Sequence, residues 1–176
     1  NMEEQTCLLN QMLEHISDHK RALFDEILQN RTRHITVVLE NIFQPHNASA
    51  VLRSCDCFGV QDVHIIENGN TYETSPGIDM GSSKWLSLYR YNQEKNNTIQ
   101  TLQSLKKKGY KIIATTPHTN DCLIADLPIE QPFALVFGTE LTGLSDLAMQ
   151  EADGFVRLPM YGFTESYNIS VSVALS

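Results

Sequence analysis

Two polar loops punctuated by glycine stand near the C-terminus, each behind an apolar run: Gly138-Thr-Glu140-Leu-Thr-Gly143-Leu-Ser145, and Leu158-Pro-Met160-Tyr-Gly162-Phe-Thr-Glu-Ser166-Tyr167-Asn168-Ile-Ser170. Loops of this kind at strand ends build ligand sites, and the glycine-rich, apolar stretch ahead of Ser166 suits a pocket for a flat ring. A third polar segment, Gln44-Pro-His46-Asn47, leads into an apolar turn from which Arg53 emerges between Val51, Leu52, Cys55 and Phe58. An arginine so placed either pairs with a buried carboxylate or grips an anion such as phosphate, and the helix alone leaves both open. Asn47 or a neighbour is a plausible N-cap, and six residues along a helix is not one face, so Asn47 and Arg53 address different partners. Glu140 pairs with Arg53, orients a substrate, or serves as an N-terminal carboxylate for a helix over residues 144–151. Ser166, Asn168 and Ser170 cap the last helix or hold the pocket loop, and spacing alone leaves both open.

Several chemistries are excluded. The chain has no G-x-G-x-x-G or phosphate-binding loop, no hydrolase nucleophile elbow, and no metal set among His46, His64 and His118. Cys7, Cys55, Cys57 and Cys122 lack zinc spacing and read as buried free thiols. No apolar run approaches the roughly 20 residues that span a bilayer, and the N-terminus is acidic where a secretory leader is basic, so a cytoplasmic protein is the expectation. A net charge of −8 argues against coating nucleic acid by bulk electrostatics, so any such partner is held locally. The cations that could do so are Arg31, Arg33, Lys84 and the Lys20-Arg21 pair. Lys106, Lys107 and Lys108 most simply solvate a helix end before Gly109.

The elements that must position these groups follow from hydrophobic period. Residues 1–30 carry Leu8, Leu9, Met12, Leu13, Ile16, Leu23, Phe24, Ile27 and Leu28 at helical spacing, an amphipathic arm of one or two helices. Ile35–Leu39 is a β-branched run of the kind buried on both faces, and strands at 63–66, 111–114 and 134–137 alternate with helices at 49–58 and about 99–107. The pattern predicts an α/β fold with a mostly parallel sheet flanked by helices, the segments after the strands sharing one rim. The final helix stops while still apolar and uncapped, so the chain is expected to be truncated there.

Taken in order, the three clusters resemble the SpoU/TrmH family of SPOUT RNA 2′-O-ribose methyltransferases. The segments that carry the resemblance run from Gln44 to Val60, from Phe137 to Ser145 and from Leu158 to Ser172, with Gly81-Ser-Ser-Lys84-Trp85 and Ile112-Ile-Ala-Thr115 between them. The likeness implies a methyltransferase domain over residues 31–176, preceded by the helical arm, whose C-terminal part is threaded into a deep trefoil knot, an exception among folds. It implies S-adenosylmethionine as cofactor, with Thr115, Gly138, Leu158, Met160 and Tyr167 lining its pocket, mainly through backbone groups. It implies a homodimer and transfer of a methyl group to a ribose 2′-hydroxyl, for which guanosine in the D-loop of tRNA is the expected target.

By the same likeness Arg53, Asn47, Glu140, Ser166 and Asn168 form the catalytic set, and Arg31, Arg33 and Lys84 face RNA. Arg53 acts as base or fixes the phosphate and hydroxyl, since a guanidinium gives up its proton only above a pKa of about 12. Asn47 orders the first segment, Glu140 orients Arg53 or its neighbours, and Ser166 with Asn168 holds the pocket loop. Ribosomal RNA is the alternative substrate, and a non-catalytic RNA-binding or assembly protein on the same fold is the alternative class. An unrelated nucleotide-binding α/β module is a third, distinguished by binding adenine nucleotides as well as S-adenosylmethionine.

Overall fold

The run Ile35–Glu40 forms strand β1, whose side chains alternate between two buried faces: Val37 and Leu39 join one apolar cluster and Val38 the other. Such alternation of apolar residues on both faces marks a strand covered by helices on both sides. The computed structural model, which describes every residue except Thr74 and 118–121, arranges six further strands beside it. These are β2 (Asp62–Ile66), β3 (Ser87–Tyr91), β4 (Lys111–Thr115), β5 (Cys122–Leu123), β6 (Phe133–Phe137) and β7 (Gly154–Arg157). Their order is β3-β2-β1-β6-β4-β7-β5, with every pair parallel. All seven therefore end on one rim, and the loops that carry the polar segments share it. His118, expected on that rim, lies outside the described residues.

Residues Asn1–Arg31 and Thr32–Ser176 form separate units. In the first, α1 (Met2–Leu13) is capped by Asn1 and α2 (Asp18–Gln29) by Ser17. Neither helix buries a residue, so the expected stripe of Leu8, Leu9, Met12, Leu23, Ile27 and Leu28 is exposed. In the second unit, α3 (Pro45–Cys57) packs with α7 (Ile169–Leu175), while α5 (Thr98–Lys107) packs with α6 (Asp146–Glu151). A single-turn helix, α4 (Pro76–Asp79), and a 3-10 turn at Ser82–Lys84 lead into β3. One apolar cluster gathers Leu39, Val51, Leu52, Leu135, Ile169 and Val173; the other gathers Val38, Leu102, Leu105, Ile112 and Val136. Each such leucine, isoleucine or valine contributes roughly 1.5–3 kcal/mol when taken fully from water.

Several expectations are corrected. Helix α3 begins at Pro45 rather than 49, because proline at the first helical position lacks only an N–H that has no helical partner anyway. Asn47 is therefore not the N-cap; Gln44 occupies that position and makes no side-chain cap bond. Cys7 and Cys57 are exposed, against the expectation of buried thiols, Cys7 on a helix that buries no residue and Cys57 in the last turn of α3, while Cys55 is buried and Cys122 half-buried. Burial pushes the Cys55 thiol up to about 12, so it stays protonated at neutral pH. Strands β3, β5 and β7 escaped the hydrophobic pattern: β3 is half-exposed at the sheet edge, β5 has two residues and β7 begins with glycine.

Candidate functional site

The loop after β6 is shaped by Gly138. A Cβ there stands 2.2 Å from the backbone carbonyl of Gly143, so only glycine allows the chain to fold back on itself. Thr139 and Gly143 then exchange backbone hydrogen bonds of 3.0 Å in both directions, and Gly143 takes a φ of 70°. The tip of this tight turn presents Glu140, and Ser145 caps α6 by accepting from the Ala148 N–H at 3.2 Å.

Glu140 meets Asn47, 93 residues away, whose Nδ2 donates to its carboxylate. Asn47 is buried on the first turn of α3, with both amide protons and its oxygen engaged. Its Nδ2 also donates to Gln44 Oε1 at 3.1 Å, and its Oδ1 accepts from Asn168 Nδ2 at 3.0 Å. Asn168 in turn caps α7, accepting from the Ser170 amide at 2.9 Å and the Ser170 hydroxyl at 2.6 Å. Three chain segments that are remote in sequence are thus locked together through one asparagine. Of the partners expected for Glu140, Arg53 or its neighbours, the carboxylate meets a neighbour on α3, Asn47, and not Arg53 itself. Six residues of helix turn the direction by roughly 240° and advance it by about 9 Å, so the two side chains cannot share one carboxylate. Arg53 is exposed and makes no hydrogen bond or ion pair among the described residues.

A cavity of about 560 Å³ opens beside this network at the strand ends, within the range usual for small-molecule sites. Thr115, Gly138, Leu158, Met160 and Tyr167 all line it, as does Ser166. The Thr115 hydroxyl is already bound to the Val136 carbonyl at 2.8 Å and the Tyr167 hydroxyl to the Pro159 carbonyl at 2.9 Å, so both side chains act as struts. Ile124, Phe137, Leu144, Met149 and Ile169 supply apolar walls. Glu140, Asp146 and Glu165 bring carboxylates, and among the described residues Arg157 is the one lysine or arginine of the lining, its Nε buried without a hydrogen-bond partner there.

The residues expected to face RNA divide. Arg33, in the second unit, is ion-paired with the buried Asp62, and that hydrogen bond raises its pKa while desolvation opposes the rise. Its side chain nonetheless stays 58% exposed, so part of the guanidinium remains open to solvent. Lys84 is exposed at the end of the 3-10 turn, and Arg31 is half-buried in the first unit.

Sequence reasoning set Glu40, Asn41 and Glu67 on the rim after their strands but did not foresee the bonds that make them a polar frame. Asn41, at a φ of 61°, accepts from the Gly69 and Asn70 amides at 2.8 and 2.9 Å, clamping the loop after β1 to the loop after β2. Glu67 binds Arg90 at 2.7 and 3.0 Å, and the guanidinium holds its carboxyl below the usual range. Glu40, buried at the end of β1, binds Thr98 and Ser145. The one available signal was an acid closing an otherwise apolar strand.

The model of the SpoU rRNA methylase family matches residues 34–176. A tRNA (guanosine(18)-2'-O)-methyltransferase of Borreliella burgdorferi is 44% identical over 160 residues, covering 91% of this chain and 72% of that protein. Among solved structures, the Aquifex aeolicus TrmH/SpoU tRNA modifying enzyme superposes with a TM-score of 0.79 at 31% identity, covering 89% of this chain and 79% of the other. The SpoU methyltransferase AviRb of Streptomyces viridochromogenes, in complex with AdoMet, shares the fold at a TM-score of 0.69 and 20% identity, covering 85% of this chain and 60% of the other.

Proposed function

The chain belongs to the SpoU methylase family, and from that premise we propose that it transfers the methyl group of S-adenosylmethionine to the ribose 2′-hydroxyl of a guanosine in the D-loop of tRNA. The observation that carries the reading is the Glu140–Asn47–Asn168 network standing beside a strand-end cavity of about 560 Å³. The name and 44% identity of the Borreliella relative support tRNA over ribosomal RNA.

The cavity fits the cofactor. Its apolar walls suit a purine, its carboxylates suit an ammonium and a sulfonium, and the orphaned Arg157 Nε offers a donor to an anionic group. Thr115, Gly138, Leu158, Met160 and Tyr167 are the residues proposed to hold it. When bound, S-adenosylmethionine would supply an electrophilic methyl group, whose carbon would bond to the ribose 2′-oxygen as its bond to sulfur broke, with S-adenosylhomocysteine as the leaving group and the hydroxyl proton lost to solvent. The protein's share is alignment. Exposed Arg53 binds the phosphate beside the target and orients the hydroxyl. Asn47 holds the start of α3, and so the helix that carries Arg53, against the loop of Glu140 and the N-terminus of α7. Ser166, on the cavity wall, limits the approach of the ribose.

The same likeness supports the trefoil knot and a homodimer. Exposed Phe43, Phe58, Leu141 and Phe163 on the second unit agree with cover by another subunit. A domain over residues 31–176 behind a helical arm, with Arg31, Arg33 and Lys84 toward RNA, completes the proposal. Action on tRNA goes with a cytoplasmic location, and no helix among the described residues is long and apolar enough to cross a membrane.

The test is transfer of labelled methyl from S-adenosylmethionine to unmodified tRNA and, in parallel, to ribosomal RNA, with the product nucleoside identified by mass spectrometry. Label recovered as 2′-O-methylguanosine from the D-loop is expected. Label confined to ribosomal RNA replaces the substrate, and no label in either RNA overturns the activity.

A further inference from the structure

Glu40 is 3% exposed, at the C-terminal end of the interior strand β1, and it makes no ion pair with a lysine or arginine among the described residues. A buried carboxylate without a cation persists only when hydrogen-bond donors satisfy it. Here three do. Its Oε1 accepts from the Thr98 hydroxyl at 2.5 Å and the Ser145 hydroxyl at 2.7 Å, and its Oε2 accepts from the Ser145 amide at 2.8 Å. Thr98 opens α5 and is itself fully buried, with Asn68 donating to its hydroxyl at 2.9 Å. The anchor point is therefore rigid.

Ser145 is the other end of the loop that begins at Gly138. Residues 138–144 wall the cavity and carry Glu140 to Asn47. Strand β6 fixes the entry of the loop and the Thr139–Gly143 pair closes its neck, but its exit is held to the sheet through Ser145. We infer that Glu40 is a positioning residue for cofactor binding: by fixing both the amide and the hydroxyl of Ser145 from the end of β1, it sets the conformation of the 138–144 wall against which S-adenosylmethionine binds. This deepens the proposed function and rests on it.

All three partners of Glu40 are donors, so the carboxylate matches them at both oxygens. A glutamine of the same shape that keeps its oxygen on the Ser145 amide turns its N–H groups toward the two hydroxyls, which then lose the charged acceptor they donate to.

The experiment is isothermal titration of S-adenosylmethionine into the wild-type protein, Glu40→Gln, Ser145→Ala and the double variant, with thermal midpoints and steady-state KM values beside it. Glu40→Gln is expected to weaken the dissociation constant about tenfold, the size of a hydrogen bond to a charged group. Ser145→Ala is expected to weaken it less, and the double variant to match Glu40→Gln within about twofold, because both act on one contact. The KM for S-adenosylmethionine rises in step while the KM for tRNA stays within about twofold. Equal affinity in wild type and Glu40→Gln overturns the inference, as does a parallel rise of both KM values that tracks the thermal midpoint. If Glu40→Gln does not fold, Ser145→Ala at its exposed position decides: weakened binding supports the inference and unchanged binding overturns it. A wild-type protein that does not bind S-adenosylmethionine overturns this inference and the proposed function together, whereas wild-type binding with an indifferent Glu40→Gln overturns this inference alone.

Discussion

Asn47 does the work of a junction. Its amide satisfies Gln44, Glu140 and Asn168 at once, so truncation to alanine strands a carboxylate and an amide that were paired with it. All three partners are exposed and regain water, so each lost hydrogen bond costs about 0.5–1.5 kcal/mol. Asn47→Ala is expected to lower unfolding stability by about 2 kcal/mol in urea titration and to reduce kcat/KM for tRNA methylation by about 100-fold, since Arg53 and the Glu140 loop lose their common support. Arg53 stands at the other extreme, exposed and unengaged among the described residues. Arg53→Lys is expected to leave the thermal midpoint within about 1 °C while lowering kcat by about 100-fold, because an ammonium cannot reproduce the forked donor geometry of a guanidinium. A shift in stability of the same relative size as in Asn47→Ala would contradict this division of roles.

Among the elements, the loop after β6 depends on a missing side chain. Gly138→Ala places a Cβ 2.2 Å from the Gly143 carbonyl, and backbone cannot give way there as a flexible side chain could. Overpacking of this kind costs about 3 kcal/mol or more. The variant is expected to lose measurable S-adenosylmethionine binding by calorimetry while the sheet persists by far-ultraviolet circular dichroism. The pairing of β2 with β3 makes a pH-dependent contribution. His64 is buried, stacked at 4.7 Å on Tyr89 and bonded at 2.8 Å to the Tyr91 hydroxyl. Desolvation lowers its pKa to about 4, with Lys108 adding to the fall and Asp62 opposing it. Between about 4 and the unfolded value near 6.5 the unfolded chain binds the extra proton, so stability is complete above about 6.5 and declines toward pH 4, by roughly 3 kcal/mol in all. Urea midpoints between pH 4.5 and 7.5 should show that slope, and His64→Phe should flatten it.

At the scale of the molecule, the two units differ in what holds them. The helices of Asn1–Arg31 bury no residue, whereas Thr32–Ser176 contains both apolar clusters, the cavity and the polar network. Removal of residues 1–31 is therefore expected to leave a single cooperative thermal transition and a dissociation constant for S-adenosylmethionine within about twofold of the intact chain. A lost transition or an abolished affinity would place part of the stabilising core in the arm. The net charge of −8 adds that RNA must be met by a few local cations. Arg33 shares its guanidinium with Asp62 and keeps part of it exposed, and the salt dependence of tRNA binding counts how many phosphates the local cations reach.

Much of this organisation was legible in the chain. The apolar run of β1 and the strands at 63–66, 111–114 and 134–137 follow from short-range pattern, because side-chain period and burial are local properties. Five cavity-lining residues, Thr115, Gly138, Leu158, Met160 and Tyr167, were legible through the resemblance of the loops around them. Tertiary structure alone decided which polar groups meet. The bonds of Asn47 to Glu140 and Asn168 span 93 and 121 residues, and Glu40 reaches Ser145 across 105. Such pairings depend on strand order and register, which bring the ends of β1 and β6 together, and no periodicity along the chain encodes which two loops will share a rim. The outward turn of Arg53 and the capture of Arg33 by Asp62 belong to the same class. Residue type and spacing supplied the candidates, and the packing of distant segments determined which of them became partners.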